Sequence, residues 1–154
     1  KETFMHIPLL YHYEKRPDKS SSTLRNILAK AYSTARNGLP DNEDMGCHSA
    51  FYICGLMGLY PMMGQDWYFL TAPAFTRIEV SLGESSRKLI IEAPKASPAH
   101  LYIAAASLNG KALNKAWIQH HEISDGARIT FELSTTPTTW GRDTQPPSPI
   151  TSGN

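Results

Sequence analysis

The densest group of polar side chains in the sequence lies between two apolar stretches, where Asp41, Asn42, Glu43 and Asp44 follow one another. Carboxylates this close together repel each other, and a chain tolerates them when the site is solvated, binds a cation or performs acid–base chemistry. A structural alternative is that one of them caps the helix that follows and complements its dipole. A cap requires a carboxylate bonded to backbone amides, whereas a catalytic loop requires Asp44 to face a concave space.

Helices are predicted on both sides of this loop. Apolar residues recur at helical spacing from Leu24 to Tyr32, which predicts a helix over about residues 21–36 with hydroxyls at 20–22 as N-cap candidates. Asn37-Gly38 is a typical helix stop, and Pro40 prevents continuation, so residues 39–45 are expected to form a loop.

A second helix is predicted to begin near Gly46 and to end by Pro61. It is apolar almost all round, which is typical of a helix packed on several sides. A shorter helical segment is predicted over residues 7–14, because Pro8 fits the first turn of a helix.

The second half of the chain is richer in β-branched residues and predicts antiparallel strands. Asn109-Gly110 and Asp125-Gly126 are turn signals between them. The predicted fold class is α+β, with helices followed by a small antiparallel β-sandwich. We expect a helical part at 1–66, a sandwich at 67–141 and a disordered, proline-rich tail at 142–154. The predicted strands are 75–82, 87–93, 101–108 and 128–133.

Composition excludes several classes of function. Fifteen Lys and Arg against 14 Asp and Glu give a net charge of +1, so nothing indicates a nucleic-acid or anionic-membrane partner. The most apolar run, residues 50–63, is shorter than the roughly 20 residues that span a bilayer. Cys47 and Cys54 would lie about 10 Å apart on a helix, which excludes a disulfide between them and leaves the compartment open.

The acidic loop also carries a resemblance. Residues 38–46, GLPDNEDMG, with SAFY at 49–52, resemble the stretch G-L-P-G-N-D/E-D-x-G-x-x-S-A-W-Y of glycoside hydrolase family 92, the calcium-dependent exo-acting α-mannosidases. Residues 2–13, ETFMHIPLLYHY, resemble that family's N-E-P-x-x-H-x-P-Y-L-Y-N-Y segment. Further matches are GLYP at 58–61 and APAF at 72–75, and the resemblance covers roughly residues 2–141.

The resemblance implies a fold and a mechanism. The helices would be the last of an α/α six-hairpin barrel, the strands a closing β-layer, and the chain would begin inside a longer protein. Members of the family are inverting enzymes, in which one carboxyl group protonates the glycosidic oxygen and a carboxylate on the opposite face activates water. Asp44 matches the general base, and Glu43 is a second catalytic candidate. The family's general acid lies upstream of Lys1, so the chain alone is expected to be inactive.

Ligands and substrate contacts follow from the same resemblance. Glu2 is the best candidate ligand for Ca²⁺, with Asn42 and Glu43 as weaker ones, since calcium prefers oxygen ligands. His6, Asn42 and His48 are candidate contacts to a mannose-containing oligosaccharide, although His6 and His48 have simple structural interpretations as well.

The resemblance implies a secreted or periplasmic location for the full-length enzymes, which this chain by itself does not determine. The chain is expected to need the upstream part of the enzyme, because the general acid lies there. Two alternatives remain open at this point. The chain is a non-catalytic carbohydrate-binding or structural module, or it is an unrelated all-β domain with an accidental motif.

Overall fold

The computed structural model describes residues 4–83 and 86–148. A 3-10 helix at Ile7–His12 precedes helix α1 at Pro17–Ala31, and a 3-10 turn at Asp44–Gly46 leads into helix α2 at Cys47–Met57. A further 3-10 turn spans His120–Glu122. This order confirms the predicted α+β class. The strands are β1 Leu59–Pro61, β2 Trp67–Leu70, β3 Arg77–Ser81, β4 Lys88–Glu92, β5 Tyr102–Leu108, β6 Lys111–Ala112, β7 Trp117–Gln119 and β8 Ala127–Ser134.

Helix α1 begins and ends earlier than predicted. It starts at Pro17, whose fixed φ suits the first helical position, so the serine hydroxyls at 20–22 do not cap it. Ser21 is buried instead, and its hydroxyl accepts the Ala72 amide at 3.0 Å. The helix ends at Ala31 because Tyr32 is extended. Gly38 does not end the helix, and its amide donates to the Ala35 carbonyl oxygen in a later turn.

Helix α2 begins where it was predicted, but only one of its faces is buried among the described residues. Phe51 and Gly55 face inward, whereas the Ile53 side chain is 57% exposed. A Cβ on Gly55 would lie 2.7 Å from a Leu28 methyl group, so glycine permits the close approach of α1 and α2. The helix ends at Gly58, which is left-handed, and a Cβ there would meet the Thr71 carbonyl oxygen at 2.4 Å.

The strands form a three-stranded sheet, β1-β2-β7, and a five-stranded sheet, β3-β4-β8-β5-β6. The first sheet is antiparallel, but β4 and β8 pair in parallel in the second, which corrects the prediction of antiparallel strands throughout. Strands β1, β2, β6 and β7 were not predicted. Because β1 lies within residues 1–66 and pairs with β2, the first sheet crosses the expected boundary at residue 66. Asn109-Gly110 forms the predicted turn between β5 and β6, with φ values of 50° and 79°.

The three-stranded sheet lies between the helices and the five-stranded sheet. In β2, Trp67 and Phe69 pack into the cluster formed with α1 and α2, while Leu70 packs into the cluster shared with the five-stranded sheet. Alternate residues of a strand point to opposite faces, so this sheet contributes to both cores. The fold therefore has three layers.

Part of the segment expected to be disordered is packed against the helices. The Gln145 side-chain amide donates to the Tyr13 carbonyl oxygen at 2.5 Å, and the Tyr13 hydroxyl donates to the Pro147 carbonyl oxygen at 3.2 Å. The guanidinium of Arg142 lies 3.3 Å from the buried carboxylate of Asp18. Residues 142–148 are therefore part of the folded unit, and 149–154 lie outside the described residues.

The outer face of the helices carries exposed apolar side chains. Phe4, Ile7 and Leu10 are 57%, 48% and 42% exposed and line an open groove of about 680 Å³ together with Ile27. Over residues 4–83 and 86–148, no helix combines the length and the apolar character that a membrane crossing requires.

His12 connects the helical layer to the middle sheet. It is 2% exposed, and its Nε2 lies 3.1 Å from the Leu70 carbonyl oxygen while its Nδ1 lies 2.8 Å from the Ser20 hydroxyl. Nδ1 also lies 3.1 Å from the Leu9 carbonyl oxygen. A neutral ring satisfies the contacts to Leu70 and Ser20 when Nε2 donates and Nδ1 accepts. Burial lowers the pKa of His12 from 6.5 to about 4.

The folded state should therefore lose stability in acid as His12 gains a proton. Its folded pKa lies below the unfolded value, so its contribution is complete above pH 6.5 and is lost as the pH falls towards 4. The full contribution is about 3 kcal/mol. Urea unfolding of wild type and His12→Gln between pH 4 and pH 7.5 measures it, with the exposed His121→Gln as control. Equal pH slopes for wild type and His12→Gln would contradict this assignment.

Candidate functional site

The acidic loop is held between α1 and α2 and ends in a reversal of the backbone. Met45 and Gly46 both have left-handed φ values, 55° and 77°, directly after Asp44. A non-glycine residue at positive φ is uncommon and carries strain, so other contacts must hold this segment in place.

The sequence left open which of three carboxylates caps α2, and in the structure it is that of Glu43. Its Oε2 accepts the backbone amide of His48 at 3.1 Å, and its Oε1 accepts that of Ser49 at 3.0 Å. Both amides belong to the first turn of α2, where backbone donors lack partners within the helix. Hydrogen bonds from Ser49, together with the His48 amide, hold the pKa of Glu43 below its ordinary value. The carboxylate that caps the helix is therefore that of Glu43.

Asp44 lies in an open cleft of about 550 Å³ beside α2. His6 lines the same cleft, so the structure brings together two of the predicted site residues from separate parts of the chain. Asp44 is exposed, and its catalytic role stays a prediction. The remaining lining is mostly apolar and consists of Met5, Met45, Cys47, Ala50, Phe51, Cys54, Tyr60, Pro61 and Met63.

Two other predicted substrate contacts do not line this cleft. Asn42 is exposed, and its backbone amide donates to the Asp41 carboxylate at 2.9 Å. His48 is 3% exposed, and its Nδ1 lies 2.8 Å from the hydroxyl of Tyr32. Its Nε2 is buried without a hydrogen-bond partner among the described residues. His48 thus joins α2 to the end of α1.

Sequence reasoning overlooked Tyr60 and the two cysteines as cleft residues. Burial raises the pKa of Tyr60 to about 12, so it keeps its proton at neutral pH. Its place in the GLYP motif was the available signal. Cys47 and Cys54 are not joined in a disulfide and lie seven residues apart on α2, a spacing that puts them on one face of the helix.

Within 4–83 and 86–148, no three His, Cys, Asp or Glu side chains come together as a metal site. Glu43, a weaker calcium candidate, already uses both carboxylate oxygens on backbone amides. Glu2, the main candidate, lies outside the described residues. The described side chains therefore do not fit a calcium site by themselves.

Comparison with known proteins gives one family. A model of the glycosyl hydrolase family 92 catalytic domain matches residues 1–135. The chain is also 28% identical over 143 residues to an uncharacterized secreted glycosidase of Arthroderma benhamiae, a match that covers 90% of the chain and 19% of that protein.

Solved structures agree with this match. A family GH92 alpha-mannosidase of Bacteroides thetaiotaomicron, determined with mannoimidazole, has a TM-score of 0.88 and 28% identity, covering 94% of this chain and 20% of that one. A family GH92 inverting mannosidase of the same organism has a TM-score of 0.83 and 28% identity, covering 90% and 19%. The chain thus spans about a fifth of the length of these relatives.

The contact between Tyr32 and His48 should contribute measurably to stability. Tyr32→Phe keeps the ring stacked on Tyr52 but leaves the buried Nδ1 of His48 without its partner, so we expect a loss of about 1 kcal/mol. Urea unfolding at pH 7.5 measures this loss, and Tyr11→Phe on the exposed groove is the matched control. A Tyr32→Phe chain as stable as wild type would show that the His48 ring does not depend on this hydroxyl.

Proposed function

The chain belongs to glycosyl hydrolase family 92, and we propose that it is the part of an inverting, exo-acting α-mannosidase that supplies the general base. In this proposal α1 and α2 are the last helices of an α/α barrel, and the two sheets close it. The substrate is a terminal α-linked mannose of a mannose-containing oligosaccharide such as an N-glycan.

The observation that carries the proposal is the division of roles between two adjacent carboxylates. Glu43 satisfies the amides at the start of α2, so Asp44 is not needed as a cap. Asp44 instead lines the cleft beside His6. In that position it would take a proton from water as the water oxygen attacks the anomeric carbon, while the bond to the leaving oxygen breaks.

The general acid has to come from elsewhere in the enzyme. Inverting glycosidases place their two carboxyl groups roughly 6.5–9.5 Å apart to leave room for water. Asp44 is the acidic side chain that lines the cleft among the described residues. The proposal therefore assigns the acid to the upstream part of the enzyme, in agreement with the fifth of the relatives' length that this chain covers.

A second function remains a candidate, because the contacts of Glu43 with α2 are consistent with an acidic loop that serves only as a helix cap. A non-catalytic carbohydrate-binding or structural module needs the α2 cap and does not need Asp44 in a cleft. Binding of mannan by the chain, combined with full activity of an Asp44 variant, would favour that function.

The compartment and the metal are also proposals. We place the enzyme outside the cytoplasm, secreted or periplasmic, since a relative is named as a secreted glycosidase. Calcium enters through the sequence resemblance, with Glu2 as the ligand from this chain and the other ligands from the rest of the enzyme.

Replacing the base should abolish activity in a reconstituted enzyme, meaning this chain combined with the upstream part of a family 92 mannosidase. Asp44→Asn keeps the size of the side chain but cannot accept the proton, so we expect mannose release from α-1,2-mannobiose to fall by about 10²–10⁴-fold. The exposed Asp66→Asn, in the turn before β2, is the control and should release mannose at the wild-type rate. Wild-type activity of Asp44→Asn would refute the base assignment.

Removing calcium should abolish mannose release by the same reconstituted enzyme. We expect EDTA to stop mannose release and added calcium to restore it, because the family metal binds sugar hydroxyls through oxygen ligands. Glu2→Gln should raise the calcium concentration needed for half-maximal activity. Activity that persists in EDTA would remove calcium from the proposal.

A further inference from the structure

Glu43 is joined to the first turn of α2 by both oxygens of its carboxylate. The two hydrogen bonds, to the amides of His48 and Ser49, measure 3.1 Å and 3.0 Å. A carboxylate that uses both oxygens in this way fixes the position of its own backbone relative to the helix. Asp44 is the next residue in the chain, so these bonds restrain its backbone as well.

The helix end to which Glu43 bonds is itself held by α1. His48 is buried, and its Nδ1 lies 2.8 Å from the hydroxyl of Tyr32, the residue directly after α1. The Tyr32 ring stacks on Tyr52 with centroids 5.3 Å apart. A continuous series of contacts therefore runs from α1 through Tyr32, His48 and Glu43 to Asp44.

The backbone beyond Asp44 needs such support. Met45 at φ 55° and Gly46 at φ 77° turn the chain in the left-handed region, and the Met45 side chain is fully exposed. An exposed residue at positive φ gains nothing from side-chain packing that would offset its strain. The hydrogen bonds of Glu43 lie immediately before this reversal and the helix lies immediately after it.

We propose that Glu43 is a positioning residue, which holds Asp44 towards the cleft and takes no part in proton transfer or metal binding. The inference rests on the proposed function, because it assumes that Asp44 is the general base. It predicts that the acceptor geometry of residue 43 matters and that its charge is secondary. Displacement of a reacting group by about 1 Å can cost about 100-fold in rate.

The first test uses the chain itself and does not depend on activity. In Glu43→Ala the amides of His48 and Ser49 lose their acceptor, so their hydrogen exchange should become at least about 10-fold faster. Glu43→Gln keeps one acceptor oxygen and should show an intermediate effect. Asp41→Asn removes one charge from the same loop without touching these amides, and it should leave their exchange unchanged. Unchanged exchange in Glu43→Ala would overturn the proposal.

The second test uses the reconstituted enzyme with aryl α-mannosides. We expect kcat to fall about 10-fold in Glu43→Gln and about 100-fold in Glu43→Ala, with KM within twofold of wild type. A residue that acts through its charge would make the two variants equally slow. A general acid would lose less activity on a dinitrophenyl leaving group than on a nitrophenyl one, whereas a positioning residue loses the same on both.

The outcomes separate this inference from the proposed function. If Asp44→Asn is inactive and both Glu43 variants have wild-type kcat, only the positioning role is refuted. If the Glu43 variants are equally slow, or if their loss depends on the leaving group, Glu43 takes part in the reaction and the inference is wrong. If Asp44→Asn is fully active, the proposed function and the positioning role of Glu43 are both refuted.

Discussion

The three-stranded sheet packs against a hydrophobic core on each of its two faces, and the rest of the fold depends on this double packing. Side chains alternate along a strand, so Trp67 and Phe69 of β2 meet the helices while Leu70 meets the five-stranded sheet. Strand β7 repeats the pattern, with Trp117 on the helical side and Ile118 on the other. The helices cannot move relative to this sheet without exposing the core that they share with it. The acidic loop connects those two helices.

The loop shows how two neighbouring carboxylates come to have different surroundings. A helix start offers a few unpaired amides, and Glu43 already accepts two of them. The reversed backbone at Met45 and Gly46 then separates Asp44 from the helix and leaves it at the cleft. The chemistry assigned to Asp44 is therefore a consequence of packing, because the cap is anchored to α1 through His48 and Tyr32. The same unit occurs within relatives about five times as long.

The helices and the four longest strands could be predicted from local sequence, and the failures have physical causes. The helix start at Pro17 was missed because three serines offered better N-caps, yet Ser20 and Ser21 are needed inside the helix as partners of His12 and of the Ala72 amide. Strands β1, β2 and β7 were missed because a sheet buried on both faces lacks the alternation of polar and apolar residues. The parallel pairing of β4 with β8 was missed because local sequence carries no information about which distant strands meet.

The sequence by itself determined the family and the α+β order, and it singled out Asp44 as the candidate general base. These follow from motif spacing and hydrophobic period, which are properties of neighbouring residues. The tertiary structure alone decided that Glu43 caps α2, that His48 is buried against Tyr32 and that His6 shares a cleft with Asp44. These relations could not be inferred from the sequence, because each depends on the distance and direction between groups that the folded backbone brings together.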